Sequence, residues 1–191
     1  NLSEIASSFG TPAYVYSKKA LTENALMYVN SFTNPDNMAC FSVKSLSNLS
    51  VLKLLKEVGC GFDVVSGGEM HRALSIGADP KSIIFSGVGK SSDEIKQGIL
   101  NKILSFNVES VSELYKIEAI AKKLQMNASV SIRFNPDIDS GGHDYITTGR
   151  KGDKFGISSI EDILNLSTYI SQSPNLNMVG LACHIGSQII N

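Results

Sequence analysis

An α/β fold built from repeated strand–helix units is predicted by three observations in these 191 residues. First, short apolar runs that suit buried strands recur over residues 38–43, 61–65, 82–85, 103–108, 128–134 and 178–184, with helical spacing between them. Second, four helix starts carry a Ser-x-x-Glu capping box: Ser66/Glu69, Ser91/Glu94, Ser110/Glu113 and Ser158/Glu161. In such a box the serine satisfies a free amide of the first turn and the glutamate reaches back to the serine's own N–H. Third, no Gly-x-Gly-x-x-Gly fingerprint follows the first strand, and Gly87-Val88-Gly89 is a lone pair of the kind that marks a turn. A closed (β/α)8 TIM barrel is therefore expected over an open doubly wound sheet. About six of the eight strands are present, and six alone would leave edges unpaired, so the chain is read as the front portion of a longer polypeptide.

Taken in order, Leu2, Ile5, Ala6 and Phe9 share one helical face, and Gly10-Thr11-Pro12 stops that helix. Residues 12–16 read as an extended strand. Ser17 is a plausible N-cap for a long helix with a buried stripe of Leu21, Ala25, Tyr28, Val29 and Phe32. The run over 38–43 then ends at Lys44, and the polar turn Ser45 to Asn48 leads into the first of the repeated helices. Residues 135–156 form a polar loop longer than a structural connection requires. Its Asp137, Asp139, His143 and Asp144 are read as solvated side chains and not as a metal site. Gly141 and Thr148 stand where a calcium loop needs ligands, and zinc would need a second histidine or a nearby cysteine.

The formal net charge of −1 gives no basic surface for nucleic acid or anionic lipid, which points to a small-molecule site. Cys40, Cys60 and Cys183 have no C-x-x-C spacing and read as reduced, mostly buried thiols. No apolar run is long enough to span a bilayer, and the polar start is not a signal peptide, so a cytoplasmic location is expected.

Four residues carry the chemistry. Lys44 hands a strand over to a loop, the end of an α/β strand where functional side chains gather. An amine held against an apolar strand, partly stripped of water, becomes a usable nucleophile toward carbonyls. Asp63, in a short strand, needs a buried partner or an open mouth. Arg133, inside an apolar strand, is expensive unless it meets an anion: phosphate, a carboxylate or Asp63, with a structural ion pair as the competing reading. His184 closes an apolar strand and reads either as a satisfied core histidine or as a site imidazole.

These residues sit in five motifs that together resemble one family. Phe41-Ser42-Val43-Lys44-Ser45-Leu46-Ser47-Asn48 is similar to the cofactor-lysine motif of the pyridoxal-phosphate decarboxylases with an alanine-racemase-like barrel. Gly61 to Glu69 resembles that family's second strand and turn, Ser131 to Asp139 its R-x-N-P-x-x-D segment, and Lys154-Phe155-Gly156-Ile157 its K-F-G-I segment. His184-Ile185-Gly186-Ser187-Gln188 has the form typical of the branch that decarboxylates diaminopimelate. The likeness runs from about Thr11 to Gln188. Ser42 and Ser45-Leu46 depart from it where alanines are commoner, and Gly142-His143-Asp144 replaces a common T-H-P.

The resemblance implies a barrel of the alanine-racemase type with pyridoxal 5'-phosphate as cofactor. Lys44 and His184 would be catalytic; Lys44, Asp63, Arg133, His184, Gly186 and Ser187 would bind the cofactor, with no metal. His184 would stack on the pyridine ring, while Gly186 and Ser187 would lie near the phosphate. The implied reaction is decarboxylation of meso-2,6-diaminopimelate to L-lysine. Decarboxylation of ornithine, arginine or carboxynorspermidine is the alternative, as is a non-catalytic homologue that binds the cofactor. Lys154 would reach a dimer partner, making a homodimer with sites shared across the interface. Residues 1–16 would join a β-domain lying beyond this chain, and residues 17–191 would form the front of the barrel. The 191-residue piece alone would be inactive.

Overall fold

The computed structural model describes residues 1–138 and 155–186. Asp139, His143, Asp144, Lys154, Ser187 and Gln188 lie outside the described residues. Strands and helices alternate through β1 (Cys40–Ser42), α3 (Leu49–Glu57), β2 (Gly61–Val64), α4 (Gly67–Ser75), β3 (Ile83–Phe85), α5 (Ser92–Asn101), β4 (Ser105–Val108), α6 (Val111–Leu124), β5 (Ala128–Phe134), α7 (Ile160–Gln172) and β6 (Leu176–Cys183). Two further helices, α1 (Leu2–Phe9) and α2 (Lys18–Val29), precede them. All six strands are parallel and their spatial order equals their order in the chain. A doubly wound sheet reverses its order at a switch point; this one never does, which is how a barrel begins.

Period-2 alternation separates the two faces of the sheet. Outward, Phe62, Val64, Ile83, Phe85, Phe106, Val108, Val130 and Ile132 are buried beneath the helices, together with Leu52, Ile95, Ile99, Leu114, Ile117 and Ile170. At Gly98 on α5 an added Cβ would come within 2.5 Å of the Phe106 ring, so a side chain there is excluded by close helix–strand packing. The opposite positions are mostly small or polar, Cys40, Ser42, Gly61, Asp63, Ser105, Asn107, Ser131 and Gly180, with Ile84 on β3 an apolar exception. Register aligns Ser42 with Asp63, Asn107 with Ser131, and Arg133 with Ala182, so these side chains rise on one face.

The helix caps depart from the expected form in an instructive way. Only Ser91/Glu94 closes a full box, with Ser91 N–H donating to Glu94 at 2.9 Å. In α4 and α6 the serines cap as expected, but Glu69 and Glu113 accept from the residue before the serine, Val65 at 2.8 Å and Glu109 at 2.7 Å. Reaching one residue further ties each helix to the end of the preceding strand. Helix α7 starts one residue later than Ser158/Glu161 implies: Ser159 is the cap and accepts from Asp162 N–H.

Other expectations are corrected. The strand before Lys44 is three residues long and only partly buried, because β1 is an edge with a neighbour on one side. On α2 only Ala25 is fully buried, and Tyr28 and Phe32 are exposed. Residues 12–16 form no strand of the described sheet, and Tyr14 is 93% exposed. Cys183 is exposed rather than buried, since β6 is the other edge.

Candidate active site

Every side chain singled out in the sequence that is described here emerges at the C-terminal ends of the strands. Lys44 lies in a single 3-10 turn (Val43–Ser45) directly after β1, anchored by the fully buried Val43. Its side chain is exposed, not desolvated as expected, because no strand covers that edge of the sheet. It makes no hydrogen bond or ion pair among the described residues. The amine still acts electrostatically on His184, which follows β6 at the opposite edge. Laid flat, six strands would separate those edges by roughly 24 Å, five spacings of about 4.8 Å. The sheet therefore curls and brings its first and last strands to one mouth.

His184 is the point on which the charges converge. Partial burial pushes its pKa below the ordinary 6.5, and the Arg133 and Lys44 cations lower it further, while Asp63 and Glu109 oppose them. The imidazole is thus biased toward its neutral form. Asp63 on β2 accepts from Ser86 Oγ at 2.5 Å and Ser42 Oγ at 3.3 Å, and Asn107 Nδ2 donates to Ser86 Oγ at 2.9 Å. Ser42, a departure from the family motif, thus has a partner that an alanine could not supply. Beneath it, desolvation together with Asp63 and Cys60 pushes the Cys40 thiol up to about 11, so it stays protonated.

Arg133 does not pair with Asp63. Its Nη1 donates to Glu109 Oε1 at 2.8 Å, with side chains 9% and 2% exposed, and its guanidinium lies 4.8 Å from the Phe155 ring centroid. Strand register explains the choice: Arg133 stands on β5 next to β4, whose end carries Glu109, whereas Asp63 is three strands away. The Glu109 carboxylate also accepts from the backbone N–H groups of Gly87 at 2.9 Å and Gly156 at 3.1 Å. Gly156 has φ +73°, and a Cβ there would meet the Arg133 carbonyl oxygen at 2.9 Å, so only glycine lets this segment lie along β5. Gly186 is buried with φ 146°, which likewise favours glycine. Ser187 lies outside the described residues.

Sequence reasoning missed Glu109, Ser86 and Asn107, and named Phe155 only as part of the K-F-G-I segment, without its contact to Arg133. Alternation from Ser105 through Asn107 puts Glu109 on the inner face, which was a usable signal. The Phe155 contact had none, because a long loop separates it from Arg133 in the chain.

As a set these groups offer a primary amine, a neutral flat imidazole, a hydrogen-bonded carboxylate and a neutralised guanidinium around one opening. That donor set suits a planar aromatic aldehyde: the amine for its carbonyl carbon, the imidazole for its ring face.

Comparison with known proteins points the same way. Residues 18–191 match the family model described as "Pyridoxal-dependent decarboxylase, pyridoxal binding domain". The chain is 46% identical over 185 residues to diaminopimelate decarboxylase of Neisseria meningitidis serogroup A, covering 97% of this chain and 45% of that protein. It is 44% identical over 191 residues to that of Aquifex aeolicus, covering all of this chain and 45% of the relative. The crystal structure of diaminopimelate decarboxylase from Helicobacter pylori complexed with L-lysine superposes with a TM-score of 0.95 at 41% identity, over 100% of this chain and 48% of that one. The chain thus spans slightly less than half the length of the relatives it matches.

Proposed function

The chain belongs to the pyridoxal-dependent decarboxylase family, and on that premise we propose that it is part of an enzyme that converts meso-2,6-diaminopimelate to L-lysine and CO₂. The observation that carries the reading is that the Lys44 amine, at one edge of the sheet, acts on His184 at the opposite edge, beside Asp63 and Arg133. The name common to relatives at 42–46% identity supports the substrate.

When bound, pyridoxal 5'-phosphate supplies the electron sink that accepts the electron pair of the Cα–carboxylate bond as CO₂ leaves, before a proton takes its place at Cα. The chain's own residues bind and orient. Lys44 would supply the amine that attaches the aldehyde carbon, and among the described residues no carboxylate pairs with it. His184, whose imidazole is biased toward the neutral form, would stack on the aromatic ring. Asp63, fixed by Ser42 and Ser86, offers a carboxylate at the same mouth. Arg133, already neutralised by Glu109, orients and does not act as a free phosphate-binding cation. Gly186 and Ser187 are assigned to the phosphate.

Residues 1–16 would join a further domain, with residues 17–191 as the front of the barrel. A homodimer with sites shared across the interface, reached by Lys154, and a cytoplasmic location complete the proposal. The isolated 191-residue chain is expected to be inactive.

The test is made in the full-length protein. Pyridoxal phosphate should give a visible absorbance band that Lys44→Ala abolishes, with turnover of diaminopimelate falling by roughly a thousandfold or more. A band of equal intensity in the variant would refute the attachment. Ornithine turned over faster than diaminopimelate would refute the substrate.

A further inference from the structure

Lys90 is a buried cation that none of the proposed chemistry uses. It follows the β3 turn, and its ammonium donates to the carbonyls of Gly87 at 2.6 Å and Asn107 at 2.8 Å and to Glu113 Oε1 at 2.9 Å. Three donors meet three acceptors, so the group is saturated. Its side chain is 0% exposed and that of Glu113 10%. A buried ion pair of this kind does little for stability, because desolvation consumes most of the Coulombic gain.

The geometry leads elsewhere. The second oxygen of Glu113 accepts the backbone N–H of Glu109 at 2.7 Å. Glu109 in turn holds Arg133 at 2.8 Å, Gly87 N–H at 2.9 Å and Gly156 N–H at 3.1 Å. Gly87 gives its carbonyl to Lys90 and its amide to Glu109, so the circuit closes on itself. It fastens the ends of β3, β4 and β5 to one another directly below the mouth.

We propose that Lys90 is a positioning residue that, through Glu113 and Glu109, sets where Arg133 stands at the mouth facing His184. The proposal rests on the decarboxylase reading only for its consequence in cofactor binding. Among the described residues, the charged groups that act on His184 are Lys44 after β1, Asp63 on β2, Glu109 after β4 and Arg133 on β5. Two of these four belong to the circuit. With the circuit loosened, Arg133 drifts and the mouth opens to water. Both the cation and the desolvation that hold the imidazole neutral then weaken.

Lys90→Met in the full-length protein leaves Glu113 buried and unpaired, so the variant is expected to be unstable. Lys90→Met with Glu113→Gln removes both charges while the Gln carbonyl oxygen still accepts the Glu109 N–H, so the link to Glu109 is kept and no buried charge is left unpaired. The imidazole of His184 is titrated by NMR in the cofactor-free protein, and pyridoxal phosphate affinity is measured by absorbance. In the double variant the His184 midpoint should rise toward 6.5, and the cofactor should bind about tenfold more weakly or worse. A double variant with the wild-type midpoint and wild-type affinity would reduce Lys90 to a structural pair and overturn the proposal, whether or not the single variant folds. If the wild-type protein showed no affinity for pyridoxal phosphate, the decarboxylase reading would fall, and the imidazole titration would still decide for or against Lys90.

Discussion

The two faces of the sheet are built on different physics. Between strands and helices, Phe62, Phe85, Phe106 and their neighbours are held by non-directional apolar burial, where volume matters and partner identity matters less. On the inner face and at the strand ends, Asp63, Lys90, Glu109, Glu113 and Arg133 are held by directed bonds, each to particular atoms. The first region makes the chain fold; the second decides what sits at the mouth. A side chain can be trimmed in the first with a graded cost, but in the second removing one partner leaves another buried and unpaired.

Five substitutions test that contrast in the full-length protein. The largest effect is expected from Glu109→Ala, which strips the buried Arg133 of its counter-charge and two backbone amides of their acceptor; a loss of about 3–5 kcal/mol is expected in urea unfolding. Cofactor affinity should fall with it. Phe106→Ala should cost a similar or slightly smaller amount, about 3–4 kcal/mol, with affinity per folded molecule unchanged. If Phe106→Ala weakened the cofactor as much as Glu109→Ala does, the division into two regions would be wrong.

Gly156→Ala should lower the melting temperature by an amount corresponding to about 1–3 kcal/mol, from its left-handed φ and the approach to the Arg133 carbonyl. Gly98→Ala brings a methyl against Phe106 on the apolar side, so it should respond to a compensating Phe106→Leu, whereas Gly156→Ala should respond to no side-chain trimming.

The smallest effect concerns pH. Because the folded pKa of His184 lies below 6.5, the unfolded chain takes up its proton first as pH falls. His184 therefore contributes no pH dependence above about 7, and stability is lost as pH drops through 6.5 toward the folded value. His184→Asn should flatten that part of the stability curve measured by chemical denaturation between pH 7 and 5. An unchanged slope would mean that the imidazole is not held neutral.

Much of this was legible in the chain itself. The run over residues 128–134 is β5 to the residue, and the order of strand–helix units, the capping serines of α4, α5 and α6, and the outward-facing core all follow from apolar periodicity and local hydrogen bonding. The family motifs pointed to Lys44, Asp63, Arg133 and His184. These are local signals, and a local signal survives whatever the rest of the chain does.

What tertiary structure decided was partnership. Arg133 could have met Asp63 by charge alone, but parallel register puts Glu109 beside it and Asp63 three strands away. Lys90 carries no mark in the sequence that sets it apart from other lysines, and it is buried among three acceptors. The exposure of Lys44 follows from its place on an edge strand. The physical reason is common to all three: burial and hydrogen bonding depend on which strand ends the curled sheet brings together, and contacts between residues twenty or more positions apart leave no periodicity in the sequence to read.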